Sequence, residues 1–304
     1  MKIPCLLASD LHGSPARYRT LWRVAAEEHP AAIFLAGDLL PGGLAMGARD
    51  ADVEGDFIED FLGQGFADLR NALGERAPRV LAVLGNDDPG SAVPALARLE
   101  GAGLLEHLHA RRTTLHGRPV FGYACVPPSP FLLKDWERYD VSRYVDPGSV
   151  SPEEGWRSVH KPVHEIRFET IKRELDQLTT GEDLRLAVML FHTPPYGTAL
   201  DRADLDGRFH EHVPIDPHVG SIAVRRMIEQ RSPWLTLHGH VHESSRLTGS
   251  WRETLGATIM LSAAHEDPGL CLVRFDLNEP GSATREIIPD DVRTPARSRS
   301  RPTG

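Results

Sequence analysis

Cysteine is scarce, long apolar runs are missing and positive charge is outnumbered, and each shortage removes a class of protein. The chain has three cysteines, Cys5, Cys125 and Cys271, an odd number without a CxxC pair, so a disulfide framework is not expected. No apolar stretch approaches the roughly 20 residues that cross a bilayer, so neither a spanning helix nor a membrane partner is expected. The opening MKIPCLLASDLH is too short and too soon acidic for a signal peptide. A cytoplasmic location is the expectation. Lys and Arg number 34 against 43 Asp and Glu, a formal charge of −9, and no Lys/Arg stripe carries interleaved aromatics. Long nucleic acid is therefore not an expected partner. Wholesale disorder is excluded too, because 40% of residues are hydrophobic and 25% charged, the balance of a packed protein.

Histidine is what the chain has in excess. There are fifteen. Imidazole is the commonest metal ligand and the usual acid or base near neutral pH, so their placement matters more than their number.

Short apolar runs alternate with amphipathic stretches. Residues 3–8, 31–36, 80–84, 186–191 and 234–237 read as strands, and continuous apolar runs of this length suit strands covered on both faces. Helical patterns fall at 15–28, 56–73, 91–99, 153–178 and 219–230. The first is opened by Ser14 and Pro15, a good cap followed by a good first helical residue. Such alternation means an α/β layered fold. The last third reads as an antiparallel meander of short strands at 246–248, 253–255, 258–262 and 270–275, with a similar strand at 120–125. The simplest architecture is two packed sheets with helices outside, one domain over 1–289. Two long loops, 40–55 and 193–217, are candidates for function, and the Arg/Ser/Pro-rich 290–304 reads as a disordered tail. The apolar Phe131, Leu132, Leu133 and Trp136 leave a homo-oligomer open.

Chemistry-bearing residues come after the apolar runs, one group per run. Ser9-Asp10-Leu11-His12 follows the first, Gly37-Asp38 the second and Gly85-Asn86-Asp87-Asp88 the third. His192 follows the fourth, and His238-Gly239-His240-Val241-His242 follows the fifth. Ligands of α/β sheets gather beyond the carboxyl ends of strands, so these side chains would converge on one crevice. Asp10 and His12, like His240 and His242, are two apart, which on an extended segment points both to one side. Each signature is weak alone, since Gly-Asp or Asp-x-His at a strand end is ordinarily a turn. All five in order are hard to produce otherwise. Carboxylate, imidazole and amide together favour Mn, Fe, Zn, Ni or Mg over a thiolate-bound metal.

The ordered set Asp10-x-His12, Gly37-Asp38, Gly85-Asn86, His192 and Gly239-His240-x-His242 resembles the calcineurin-like metallophosphoesterase superfamily. The stretches at 192–202, 218–229 and 237–244 further resemble its Icc-related branch of predicted phosphoesterases. The resemblance implies a four-layer α/β/β/α sandwich of two mixed sheets and two divalent metal ions. It places Asp10, His12 and His242 on one metal and Asn86, His192 and His240 on the other, with Asp38 bridging. The implied reaction is hydrolysis of a small phosphate ester, water activated by the metal pair attacking phosphorus in line.

One position departs from that pattern. Many members carry His after the Gly-Asn, where it helps the leaving group depart; this chain has Asp87. An ionised Asp87 beside phosphate would repel a doubly charged monoester more than a diester, which favours phosphodiesterase activity. A protonated Asp87 acting as general acid is the alternative. The catalytic candidates are thus Asp38, Asn86, Asp87 and His192. His238 reads as packing or support for a ligand, and Tyr196, His210, His212 and His218 as walls of a substrate pocket. Two other readings stay open: a non-catalytic scaffold on the same fold, and a nuclease acting on short oligonucleotides.

Overall fold

The computed structural model describes residues 2–42 and 55–290. The tail 291–304 and most of the first long loop, residues 43–54, lie outside the described residues. Among the described residues fourteen strands run in chain order, from β1 (Pro4–Ala8), β2 (Ala32–Ala36), β3 (Arg79–Val83) and β4 (Glu106–His107) to β5 (Arg111–Leu115) and β6 (Arg118–Tyr123). They continue with β7 (Val188–Phe191), β8 (Phe209–His210), β9 (Val213–Pro214) and β10 (Leu235–His238). The last are β11 (Arg252–Leu255), β12 (Thr258–Ser262), β13 (Leu270–Asp276) and β14 (Glu279–Ile288).

Two six-stranded sheets result, ordered β14-β13-β1-β2-β3-β4 and β11-β12-β10-β7-β6-β5, with β8 and β9 forming a small hairpin. Both sheets are mixed. β1, β2 and β3 are parallel, whereas β13 and β14 pair antiparallel. In the second sheet β6, β7, β10 and β12 are parallel, with β5 and β11 antiparallel at the edges. The central strands are buried on both faces, which is why they read as unbroken apolar runs. Helices outside the two sheets complete the four layers expected from the sequence.

The helices form where capping permits. α1 (Pro15–Glu28) starts at Ser14, whose hydroxyl accepts from Arg17 N–H, and ends at left-handed His29. The 56–73 pattern is two pieces: a π-helical segment Phe57–Gly63 capped by Asp56, then α2 (Gln64–Leu73). The wider turn brings Phe57 and Phe61 onto Tyr18 and Trp22, with ring centroids 5.1–6.1 Å apart. α3 is Val93–Gly101. The 153–178 pattern shrinks to α4 (Val163–Phe168) and α5 (Ile171–Leu178). Pro162 keeps the residue before it out of helix, and Thr170 restarts the helix as an N-cap accepting from Arg173. α6 spans Ile222–Arg231 behind the Ser221 cap.

The C-terminal meander expected from the sequence fails in two respects. Residues 246–248 lie in the short helix α7 (Ser244–Thr248), closed by left-handed Gly249. The strands after it divide between sheets, β11 and β12 on the second, β13 and β14 on the first. All three cysteines are buried and free. Among the described residues no helix is long and apolar enough to cross a membrane. Of the four apolar residues considered for an interface, Leu133 and Trp136 are buried, while Phe131 and Leu132 are exposed.

A connection of about 40 residues follows β6 and is fastened by a buried ion pair. Lys134 Nζ lies 2.5 Å from Glu137 Oε2, and both side chains are fully buried. Lys134 also donates to the Ser129 carbonyl, and Glu137 accepts from Ser129 N–H and Oγ–H. Removing one partner of such a pair strands a charge. Lys134→Met is expected to cost about 3 kcal/mol in denaturant unfolding, with much of the loss recovered in Lys134→Met/Glu137→Leu. A single variant within about 0.5 kcal/mol of the parent would contradict this.

Candidate metal centre

Five of the parallel strands end at one edge of the two facing sheets, and the loops that leave them hold one another in place. Asp10 N–H donates to Gly37 carbonyl, His12 N–H to Asp38 carbonyl and Gly13 N–H to Leu39 carbonyl, joining the loops after β1 and β2. Asp88, fully buried, accepts from the N–H groups of Leu39, Leu40 and Gly85, fixing the loop after β2 to the loop after β3. Gly239 N–H donates to the His192 carbonyl, and His240 N–H to Asp10 Oδ1, which brings in the second sheet.

The ligand loops are not extended. Asp10, His12, Asp38 and His240 all have positive φ, between 46° and 78°, and make up four of the nine such non-glycine residues described. The argument that residues two apart share a side therefore fails here. The side chains converge because each backbone is turned into the left-handed region, a strain that persists where surrounding structure enforces it. Glycine supplies the remaining room. A Cβ at Gly37 would sit 2.2 Å from His192 Nδ1, and one at Gly85 would sit 2.3 Å from Asp38 Oδ1.

Asp10, His12, Asp38 and His242 bring donor atoms within 4.8 Å of one another. His12 Nε2 and His242 Nε2 are 3.3 Å apart, and His242 Nε2 is 3.2 Å from Asp10 Oδ1. Two imidazole lone pairs cannot face each other bare, so a proton or a cation belongs between them. On the other side of Asp38, His192 Nε2 lies 3.4 Å from Asp38 Oδ2 and 3.1 Å from Asn86 Oδ1. The His240 ring meets that of His192 at 4.9 Å. The structure thus brings together all seven expected ligands, with Asp38 between the two groups.

The far ring nitrogens are engaged in the manner of metal-bound histidines. His192 Nδ1 is 2.7 Å from the Ala36 carbonyl, which fixes its proton there and leaves Nε2 for the site. His12 Nδ1 faces Asp87 Oδ2 at 3.3 Å. Asp87 therefore lies behind a ligand as well as at the cleft. His238 is buried between the Thr193 carbonyl and Thr236 Oγ1, stacked on Phe191, and is packing.

Electrostatics agree with a site built for cations. Burial opposes charge on Asp10, yet the imidazoles of His242 and His192 overcome it and hold the carboxyl well below its usual range. Burial likewise disfavours a charged His192, but the Asp38 and Asp10 carboxylates push it up to about 9. His240 is driven down to about 3 by burial and by His192. Asp88 is raised to about 7 by burial and by Asp38. The donor set, oxygen and imidazole with the amide of Asn86, fits borderline or hard divalent ions.

The family model for calcineurin-like phosphoesterases matches residues 3–244. The chain belongs to this family. Membership implies hydrolysis of phosphate esters. Solved structures with the same fold include the TT1561 protein of Thermus thermophilus, 18% identical, covering 94% of this chain and 99% of that one at a TM-score of 0.55. A dimetal phosphatase from Danio rerio is 12% identical, covering 90% of this chain and 93% of its own at 0.50. No curated protein matches the sequence.

The expected pocket residues separate. Tyr196 and His218 line a cavity that reaches His240, Tyr196 donating to Asp216 and His218 Nδ1 to buried Asp201. His210 and His212 lie on the exposed β8–β9 hairpin, and neither lines the two described cavities that contain candidate ligand side chains. Sequence reasoning gave no role to Asp88 or Asp201. Both are fully buried carboxylates that pin loops through several backbone N–H groups.

Occupied at about 100 times its Kd, a single metal site stabilises the fold by about 2.7 kcal/mol. Mn²⁺ is accordingly expected to raise the melting temperature by several degrees, and Asp38→Asn to lose most of that gain. Because His192 must shed a proton held to about 9, binding releases protons and tightens as pH rises from neutrality toward that value. A metal-indifferent melting temperature would contradict the assignment.

Proposed function

We propose that the protein is a dinuclear metal-dependent phosphoesterase that prefers phosphodiesters, with two ions drawn from Mn, Fe, Zn, Ni or Mg. The observation that carries the reading is the convergence of Asp10, His12, Asp38 and His242 within 4.8 Å at the strand ends. His192 and Asn86 meet Asp38 from the other side.

In this reading Asp10, His12 and His242 would hold one ion and Asn86, His192 and His240 the other, with Asp38 lying between the two groups. Bound there, two divalent ions supply Lewis acidity to phosphoryl oxygens and lower the pKa of a water. The chain's own residues do the rest. The Ala36 carbonyl holds His192 with Nε2 inward, and Asp87 holds His12 in the same way. Asp10 accepts from Ser9 Oγ–H at 2.5 Å and from His240 N–H, so its orientation is set before any ligand arrives. Such preorganisation spares reorganisation during reaction.

The diester preference comes from Asp87. Its side chain is 44% exposed and lines the cleft beside His12, Asp38 and Asn86. A carboxylate there repels a phosphomonoester, with nearly two negative charges, more than a singly charged diester. The partner is accordingly a small phosphate ester. A non-catalytic scaffold is disfavoured because no ligand is missing.

The expected result with metal-reconstituted protein is turnover of bis-p-nitrophenyl phosphate at least about tenfold above p-nitrophenyl phosphate in kcat/KM. A strong monoester preference would overturn the diester reading. Asp87→Asn keeps an acceptor toward His12 and removes the charge, so the monoester-to-diester ratio should rise about fivefold, near 1 kcal/mol. Equal loss on both substrates with the ratio unchanged would instead make Asp87 a general acid.

A further inference from the structure

The cleft at the metal centre does not end there. It continues past His240 into a second cavity, with Ser129, Pro130, Leu205 and Val219 lining both. The continuation is walled mostly by apolar groups, among them Pro127, Pro128, Val141, Ile215 and Ile222. Its rim stays apolar toward solvent, where Tyr144 is 67% exposed and Phe131, on the metal side, 60%.

The polar groups of this cavity are largely satisfied within the protein. Tyr196 Oη–H is spent on Asp216, whose other oxygen accepts from His218 N–H. His218 Nδ1–H is spent on Asp201. Asp140 caps α6, accepting from Ser221 Oγ–H and from the N–H groups of Ile222 and Ala223. The carboxylates of Asp146 and Asp216 face the space, and no Lys or Arg is among its described lining residues. An apolar occupant therefore displaces water from apolar walls while leaving the Tyr196 hydroxyl and the His218 Nδ1–H paired within the protein. A second anionic group would instead meet carboxylates.

We propose that this second cavity receives one alcohol arm of the phosphate ester, and that this arm is an uncharged, predominantly apolar alkyl or aryl group. The inference rests on the phosphoesterase reading of the metal centre, which fixes where the phosphoryl group sits. Ile215 and Val219 then select the arm by contact, and Asp146 and Asp216 reject arms that carry a further phosphate or carboxylate. Each methylene that leaves water is worth up to about fourfold in affinity.

The test is calorimetric titration of the Mn²⁺-loaded full chain with three phosphonates whose C–P bonds resist hydrolysis: methylphosphonate, hexylphosphonate and 6-phosphonohexanoate. Hexylphosphonate is expected to bind at least about tenfold tighter than methylphosphonate. The terminal carboxylate of 6-phosphonohexanoate should erase that gain. Ile215→Glu should collapse the hexyl-to-methyl ratio below about threefold, and Ile215→Ala, with a melt to verify folding, should give an intermediate ratio. Equal affinities for hexyl and methyl, or a carboxylate that costs nothing, would overturn the proposal. Failure to bind hexylphosphonate at all would do the same. A flat phosphonate series from a protein that hydrolyses bis-p-nitrophenyl phosphate would sink the apolar subsite alone. Tight hexylphosphonate binding by a protein that hydrolyses no ester would sink the hydrolase reading alone.

Discussion

Two buried carboxylates set the terms for this molecule. Asp10 and Asp38 sit where the strands of both sheets end, almost wholly removed from water. Carboxylates buried so close together are costly unless answered by positive charge. The groups that answer them in the chain are the imidazoles of His12, His192 and His242. Much of the local structure follows. The backbone is bent into left-handed conformations at Asp10, His12, Asp38 and His240, and Gly37, Gly85 and Gly239 leave the space that any Cβ would take. Asp88 ties the loops after β2 and β3 together through backbone N–H groups. A divalent cation would turn this concentration of donors from a burden on folding into a source of stability.

The parts that were legible in the sequence share one physical cause. Strands covered on both faces leave unbroken apolar runs, so β1, β2, β3, β7 and β10 stand out, and the residues just beyond them are the candidate ligands. The order Asp10, His12, Asp38, Asn86, His192, His240, His242 could be read without knowing a single distance. The left-handed turns at four of these residues could not, because nothing in Asp-x-His distinguishes them from an extended segment. Boundaries failed where local chemistry overrode periodicity, as at Pro162 and Thr170 within the 153–178 pattern and at Gly249 after α7. β14 was missed because an edge strand carrying Pro280 and Gly281, with mostly exposed side chains, has no apolar signature. The pocket beside the candidate metal centre was the least legible. Its walls come from residues 127–149, 196, 205, 215–222 and 240, segments that only the fold brings together.

The connection after β6 ties a buried ion pair to the wall of the cleft. Lys134 and Glu137 are buried together and hold Ser129 from both its carbonyl and its N–H. Ser129 and Pro130 lie where the metal-side cleft meets the second cavity. Hydrophobic residues could fill the space of the ion pair at less desolvation cost, but they would not grip Ser129 through specific donors and acceptors. Asp87 plays a comparable double part at the other wall. It faces His12 Nδ1 at 3.3 Å and lines the cleft at once, so under the proposed function one carboxylate would both orient His12 and set the charge that a substrate meets.

Under the proposed function Asp38 would be shared by two ions. Anomalous diffraction from crystals grown with Mn²⁺ tests it most directly. Two peaks about 3.5–4 Å apart are expected, one among Asp10, His12 and His242 and the other among Asn86, His192 and His240, with Asp38 between them. A single peak at saturating Mn²⁺, or two peaks that do not share Asp38, would contradict it.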